Sequence, residues 1–151
     1  NALGKFGKLN EFIFVLDGDA KDFDSKIREE ASKVQPGANI QPLFLPGDDI
    51  PEVWAWKVLS ENQIRYATKL GVSDQDLSHK IQQQNLLFDN ATDKPTNISK
   101  NKFFTFCEQL RRPTTEIIRL ISRTEVELQI GEIKIFADEL ENQIRNWQSR
   151  K

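Results

Sequence analysis

The sequence predicts an α/β fold that begins with a short parallel sheet and continues into helices. Residues 12–16, FIFVL, form a continuous apolar run, as expected for a strand covered on both faces. Residues 22–34 then carry apolar side chains at helical spacing, and residues 40–45 form a second apolar run. A strand, a helix of this length and another strand predict a βαβ unit with two parallel strands and a right-handed crossover.

Local signals place the next elements. Pro42 lies inside the second apolar run, which predicts a bulge or an edge strand because proline cannot donate to a ladder. Pro51 opens an apolar segment, at a position where proline favours the start of a helix. Ser73 and Asp76 resemble a capping box, so we expect a helix from there to about residue 88.

The C-terminal part of the chain is predicted to be helical. Residues 89–101 are polar and contain Pro95, so we expect them to form a loop. From residue 102 onward the apolar spacing is helical. The last of these segments, residues 133–147, is an amphipathic helix whose apolar stripe needs a partner surface, either the rest of the polypeptide or a second copy.

Composition limits the possible classes of protein. The 151 residues are 38% hydrophobic and 29% charged, a balance typical of a globular domain. No apolar run approaches the roughly 20 residues that cross a bilayer, and the first ten residues lack a secretion signal, so we expect no membrane partner. The single cysteine favours a reducing compartment and predicts a cytoplasmic location. The net charge of −2 argues against binding nucleic acid by charge alone.

Acidic side chains follow both predicted strands. Asp17 and Asp19 come directly after the first strand, and Asp48, Asp49 and Glu52 come after the second. In a parallel sheet, ligands bind beyond the carboxyl ends of the strands, where these side chains should meet. Two close carboxylates repel each other unless a cation neutralises them. Oxygen ligands of this kind suit Mg²⁺ or Mn²⁺, which can activate water and stabilise phosphoryl transfer.

A purely structural interpretation remains open for each acid. Asp17-Gly18-Asp19 is also what a polar turn between a strand and a helix would contain, with Asp19 or Asp22 capping the helix. Glu52 falls in a first helical turn, where an acid interacts well with the helix dipole. Acid clusters after two neighbouring strands are harder to explain in this way.

These motifs resemble those of the Toprim domain. The apolar strand with Asp17-Gly18-Asp19, followed by a helix and then by residues 45–52, LPGDDIPE, is most similar to the Toprim domain of OLD-family nucleases. The resemblance covers residues 10–56 well and residues 98–110 loosely. It implies divalent-metal cleavage of DNA phosphodiester bonds, with the two aspartates as ligands of Mg²⁺ or Mn²⁺. In this family an ABC-type ATPase domain precedes Toprim in the same polypeptide.

The resemblance also assigns roles to later residues. It implies that Glu52, with Asp48 or Asp49, completes a second metal position. It further implies a lysine near the scissile phosphate, which Lys100 or Lys102 in the segment SKNKFF would supply. We therefore expect a partial Toprim-like core in residues 1–101 and a helical extension in residues 102–151, in a protein that binds DNA and forms a homo-oligomer.

One departure from the family keeps alternatives open. Toprim domains carry a glutamate on an earlier strand, and the ten residues before Glu11 cannot hold that strand and its helix. Either the first part of the domain lies in sequence that precedes this chain, or the domain is degenerate. A catalytically silent interaction module is therefore the first alternative. The second is a phosphohydrolase or receiver-like domain that uses Asp17 as nucleophile or phosphoacceptor.

Overall fold

A computed structural model describes residues 12–37, 40–47 and 49–149. These residues are mostly helical and contain a small parallel sheet, in agreement with an α/β class. The strands are β1 (Val15–Leu16) and β2 (Leu43–Phe44), and a 3-10 helix spans Gly18–Phe23. The α-helices are α1 (Asp24–Val34), α2 (Pro51–Glu61), α3 (Gln63–Leu70), α4 (Asp74–Leu87), α5 (Pro95–Leu110), α6 (Thr114–Glu127) and α7 (Gly131–Gln148).

The chain forms two compact units. The first unit combines the chain up to residue 49 with the segment from residue 130 onward, and thus contains both strands, α1 and α7. The second unit spans residues 50–129 and contains α2 to α6. The boundary predicted between residues 101 and 102 lies inside α5.

The parallel strand pair predicted from the βαβ pattern is confirmed. Val15 lies opposite Leu43, and Leu16 lies opposite Phe44. The Leu43 amide donates to the Phe14 carbonyl, and the Leu45 amide donates to the Leu16 carbonyl, each at 2.8 Å. Helix α1 connects the two strands, so their carboxyl ends, and the acidic segments that follow them, lie at the same end of the sheet.

The coverage predicted for both faces of the first strand is incomplete at Val15. On one face, Ala31 and Ile40 are buried and pack against Phe14, Ile27 and Val34. On the other face Leu43, the partner of Val15, is 5% exposed. Because successive side chains of a strand point to opposite faces, Val15 points away from this core. Its side chain is 43% exposed.

The edge position predicted from Pro42 agrees with the structure. Within the described residues, β2 pairs with β1 alone. The amides of Leu43 and Leu45 point towards β1, and the alternate residues Pro42 and Pro46 have no N–H group to offer on the other side. The outer edge of β2 therefore cannot support a regular ladder with another strand.

The second unit is a helical bundle with a well-buried aromatic core. Its largest fully buried side chains include Tyr66, Phe103, Phe106, Leu59, Leu77, Ile117 and Ile121. The helix predicted at Ser73 is confirmed, and the Ser73 hydroxyl accepts a hydrogen bond from the Asp76 amide at 3.1 Å. The loop predicted for residues 89–101 is wrong from Pro95 onward, because proline at the first helical position starts α5 there.

A buried polar cluster links α3 to α6 in the second unit. Glu125 is 5% exposed, and its Oε1 atom accepts hydrogen bonds from the Tyr66 hydroxyl and, at 2.6 Å, from Arg65 Nη1. Burial, the hydrogen bond to Glu125 and its negative charge raise the pKa of Tyr66 above its ordinary value of 10.0. The buried carboxylate therefore has two donors, which offset part of the cost of removing it from water.

Gln84 on α4 is a buried side chain with unused polar atoms. It is fully buried, and within the described part of the chain neither its Nε2 nor its Oε1 atom has a hydrogen-bond partner. An unpaired buried amide costs stability, so we expect Gln84→Met, which keeps the volume, to stabilise the chain by about 1–2 kcal/mol. Urea unfolding measures the difference, with exposed Gln82→Met as the control, which should change little. A less stable Gln84→Met variant would contradict the expectation.

Candidate functional site

Asp17 and Asp19 lie at the carboxyl end of β1, as predicted. Asp17 precedes the 3-10 helix, and its carbonyl accepts the Ala20 amide at 3.1 Å. Both aspartate side chains are exposed, and Asp17 makes no side-chain capping hydrogen bond. Helix α1 likewise begins without a side-chain cap. The helix-capping interpretation of these acids therefore has no support in the observed hydrogen bonds.

Gly18 brings the two acidic segments into contact. A Cβ atom on Gly18 would lie 2.1 Å from the Gly47 carbonyl oxygen, 2.7 Å from that of Asp49 and 3.0 Å from that of Leu45. The backbone after β1 thus packs directly against the backbone after β2, at a distance that only glycine permits. Gly18 is therefore a position of close backbone approach.

The segment after β2 is a tight turn. Gly47 has a φ of 81°, in the left-handed region, and it follows Pro46, an order typical of a type II turn. Asp49 is half-buried in the same unit. Asp48, the other predicted ligand on this segment, lies outside the described residues. The turn therefore places Asp49 on the segment that contacts Gly18. Gly18 is the residue between Asp17 and Asp19.

Helix α7 contributes a carboxylate to this region that the sequence did not predict. Glu132 Oε2 accepts a hydrogen bond from the Gly47 amide at 2.6 Å. Further along α7, Gln143 Nε2 donates to the Gln41 carbonyl at 2.9 Å. Helix α7 is thus hydrogen-bonded to the segment that precedes β2 and to the segment that follows it. Because 85 residues separate Gly47 from Glu132, no local sequence pattern could have revealed the contact.

The donor set at this end of the sheet consists of oxygen atoms. Such donors fit a small hard cation such as Mg²⁺, which usually takes one or two carboxylates and completes its shell with water. Among the described residues, no group of three or more histidine, cysteine, aspartate or glutamate side chains is arranged to hold a metal ion. The carboxylates of the described part would therefore supply only part of the coordination shell of such a cation.

The other predicted site residues belong to the second unit. Glu52 lies in the first turn of α2, where a negative charge interacts favourably with the helix dipole. Lys100 Nζ lies 5.6 Å from the centroid of the Phe104 ring, and Lys102 Nζ donates to Asn85 Oδ1 at 3.0 Å. Each lysine thus has a partner within its own unit, and the catalytic roles of these three residues stay predictions.

Cys107 is not available as a reactive group. It is buried on α5, and burial raises the pKa of its thiol to about 12. The thiol is therefore protonated near neutral pH, whereas the thiolate is the form that attacks substrates and binds metals.

Comparison with protein-family models, with curated proteins and with solved structures gives no match to this chain. The Toprim resemblance therefore depends on the sequence motifs alone. Within the described residues, no helix has the length and apolar character that crossing a membrane requires.

Proposed function

We propose that the first unit is the C-terminal part of a Toprim-like core and that it binds Mg²⁺ or Mn²⁺ to cleave DNA phosphodiester bonds. The proposal extends to the parent protein as an OLD-type nuclease with an ABC-type ATPase domain and a homo-oligomeric state. The observation that carries it is the contact at Gly18. This contact joins the two acidic segments at the carboxyl ends of a parallel strand pair, where α/β proteins bind their ligands.

The roles in this proposal follow from position and exposure. Asp17 and Asp19 would hold the first cation, because both carboxylates are exposed and free of capping hydrogen bonds. Asp49 would contribute to a second position on the adjoining turn, and the Toprim resemblance gives the same role to Asp48. A bound divalent cation supplies an activated water molecule and neutralises charge on the phosphoryl group. It also offsets the negative charge of the chain, which by itself repels DNA.

The edges of the sheet support the same proposal. Prolines at positions 42 and 46 close the outer edge of β2, whereas β1 pairs, among the described residues, with β2 alone. Among the described residues, the edge of β1 is thus the side on which a further strand could pair. The Toprim resemblance implies an earlier strand that carries a glutamate, upstream of the acidic pair.

The proposal is tested by removing the paired aspartates. We expect Asp17→Ala/Asp19→Ala to abolish Mn²⁺-dependent nicking of supercoiled plasmid by the full-length protein. The loss should exceed about 100-fold, because even partners outside the metal shell are worth 10–100-fold. Mn²⁺ binding, measured by calorimetry, should be lost in parallel, while circular dichroism stays unchanged.

Asp22→Ala is the matched control for this experiment. Asp22 is exposed and lies in the same 3-10 helix as Asp19, but it does not directly follow the strand. The Asp22→Ala variant should keep both nicking and Mn²⁺ binding. Full nicking by the Asp17→Ala/Asp19→Ala variant would refute the proposal. If Asp22→Ala lost as much nicking and Mn²⁺ binding as the double variant, the loss would come from the change in local negative charge and not from metal ligation.

The second candidate is a catalytically silent Toprim-like module that binds a partner. The observation that favours it is that the described carboxylates do not form a three-ligand group. The two candidates differ in the same assay. A silent module shows neither nicking nor Mn²⁺ binding in the wild-type protein, even when it is fully folded.

A further inference from the structure

We infer that Glu132 is a positioning residue of the acidic site, in that it holds the turn after β2 in register with Asp17 and Asp19. This inference rests on the proposed function, because the effect on metal binding presupposes that the site binds a metal. Glu132 comes from the C-terminal helix, which the sequence predicts to be an extension outside the core. The inference makes that helix a functional part of the site.

Glu132 makes a direct hydrogen bond to the turn after β2. The Gly47 amide donates to Glu132 Oε2 at 2.6 Å, a short distance for a hydrogen bond of this type. A carboxylate acceptor makes such a bond stronger than a neutral acceptor would. Gly47 has a φ of 81°, so its amide direction is set by a left-handed backbone that glycine adopts without steric cost.

Gly47 is connected to Asp17 and Asp19 through its packing against Gly18. The carbonyl oxygen of Gly47 is the atom that lies closest to the missing Cβ of Gly18. Glu132 therefore holds the peptide on the amide side of Gly47, while Gly18 packs against its carbonyl side. Loss of the Glu132 contact frees the turn that carries Asp49, relative to Asp17 and Asp19. The effect of Glu132 on a metal would thus pass through the turn, without direct ligation.

Helix α7 makes a second hydrogen bond to the chain, near the start of β2, and we call these two hydrogen bonds its anchors. Gln143 Nε2 donates to the Gln41 carbonyl, eleven residues along the helix from Glu132. The two anchors contact residues 41 and 47, on either side of β2. Helix α7 is thereby fixed along the strand, so that Glu132 has a defined position from which to accept the Gly47 amide.

Glu139 provides a matched control on the same helix. Glu132 and Glu139 line one groove of about 290 Å³ between β2 and α7, together with Lys21, Phe44, Pro46 and Phe136. Both glutamates are exposed, but only Glu132 makes a hydrogen bond to the turn. Replacing either residue by alanine removes one negative charge from the same groove, so their difference reports the hydrogen bond.

The experiment compares wild type, Glu132→Ala, Glu132→Gln and Glu139→Ala. Calorimetry gives the Mn²⁺ affinity, and NMR hydrogen exchange gives the protection of the Gly47 amide. We expect Glu132→Ala to weaken Mn²⁺ binding about 10-fold, as is usual for residues that orient metal ligands, and to expose the Gly47 amide to exchange. Glu132→Gln keeps an oxygen acceptor and should restore both quantities to within about twofold. Glu139→Ala should resemble wild type.

The outcomes separate this inference from the proposed function. If wild type binds Mn²⁺ and Glu132→Ala binds it equally well, the inference is overturned and the proposed function stands. If Glu132→Gln is as weak as Glu132→Ala, Glu132 acts through its charge, and the positioning role is refuted. If the folded wild-type chain binds no Mn²⁺, both are overturned. Urea unfolding of each variant identifies losses that come from instability of the whole chain.

Discussion

Replacing Gly18 by alanine should destabilise the first unit by about 2–4 kcal/mol, more than ordinary overpacking costs. The new methyl group would lie 2.1 Å from the Gly47 carbonyl oxygen and 2.7 Å from that of Asp49. Both atoms belong to the backbone, so no side-chain rotation can relieve the clash. The segments after β1 and β2 must therefore move apart, and Mn²⁺ binding should fall even though every aspartate remains.

Gly37→Ala is the control for this variant. Gly37 has a φ of 83°, but a Cβ atom there would meet nothing within 4 Å. Its replacement should cost about 1–2 kcal/mol, from the left-handed backbone alone. Urea unfolding of the two variants separates the effect of close approach from the general effect of losing a glycine. A Gly18→Ala variant as stable as wild type would refute the contact between the two acidic segments.

Removal of Glu125 should destabilise the second unit by about 2–4 kcal/mol, close to the cost of breaking a buried ion pair. Glu125→Ala leaves the Tyr66 hydroxyl buried without its acceptor and deprives Arg65 of its partner. The Arg65 side chain is 32% exposed, so water can solvate its guanidinium when Glu125 is removed. The loss in free energy of unfolding should therefore stay below the largest values seen for buried ion pairs. The measurement is the free energy of unfolding in urea.

Glu127→Ala serves as the control on the same helix. Glu127 pairs with Arg123 at 2.6 Å, but its side chain is 51% exposed, and the Arg123 side chain is 78% exposed. Exposed pairs of this kind contribute little, so Glu127→Ala should change stability by less than about 1 kcal/mol. Equal effects of the two substitutions would show that Glu125 is not part of a buried cluster.

The titration of Tyr66 tests the same cluster independently. Tyr66 is the single tyrosine of the chain, so the ultraviolet absorbance of phenolate reports this residue alone. Because its pKa is raised in the folded chain, Tyr66 should remain protonated at pH values where a free tyrosine ionises. Its contribution to stability is complete below pH 10.0, the ordinary value, and is lost as the pH rises above it. Glu125→Ala should lower the titration midpoint.

Local patterns in the sequence were sufficient for much of the first unit. Continuous apolar runs separated by a helical segment predicted the parallel pair, and Pro42 predicted an edge strand. The position of Asp17 and Asp19 after the first strand followed from the same pattern. These features depend on residues close to one another in sequence, where spacing and turn chemistry are informative.

Features that depend on distant residues were not predictable. Glu125 and Tyr66 are 59 residues apart, and no local signal distinguishes Glu125 from the exposed glutamates of α6. The exposure of Val15 depends on which helices pack against the sheet, which an apolar run does not specify. Pro95 lies in a polar segment that predicts a loop, although proline is equally suited to begin a helix, and tertiary packing decides between the two.

The order of the two units along the chain has a consequence for how the protein is made. The segment that forms the second unit interrupts the sequence of the first, so a ribosome completes residues 50–129 before it begins α7. Domains generally fold as units during synthesis, starting from the N-terminus. The helical bundle can thus acquire its structure while the acidic turn still lacks Glu132, and the strand ends reach their final arrangement only after α7 has been synthesised.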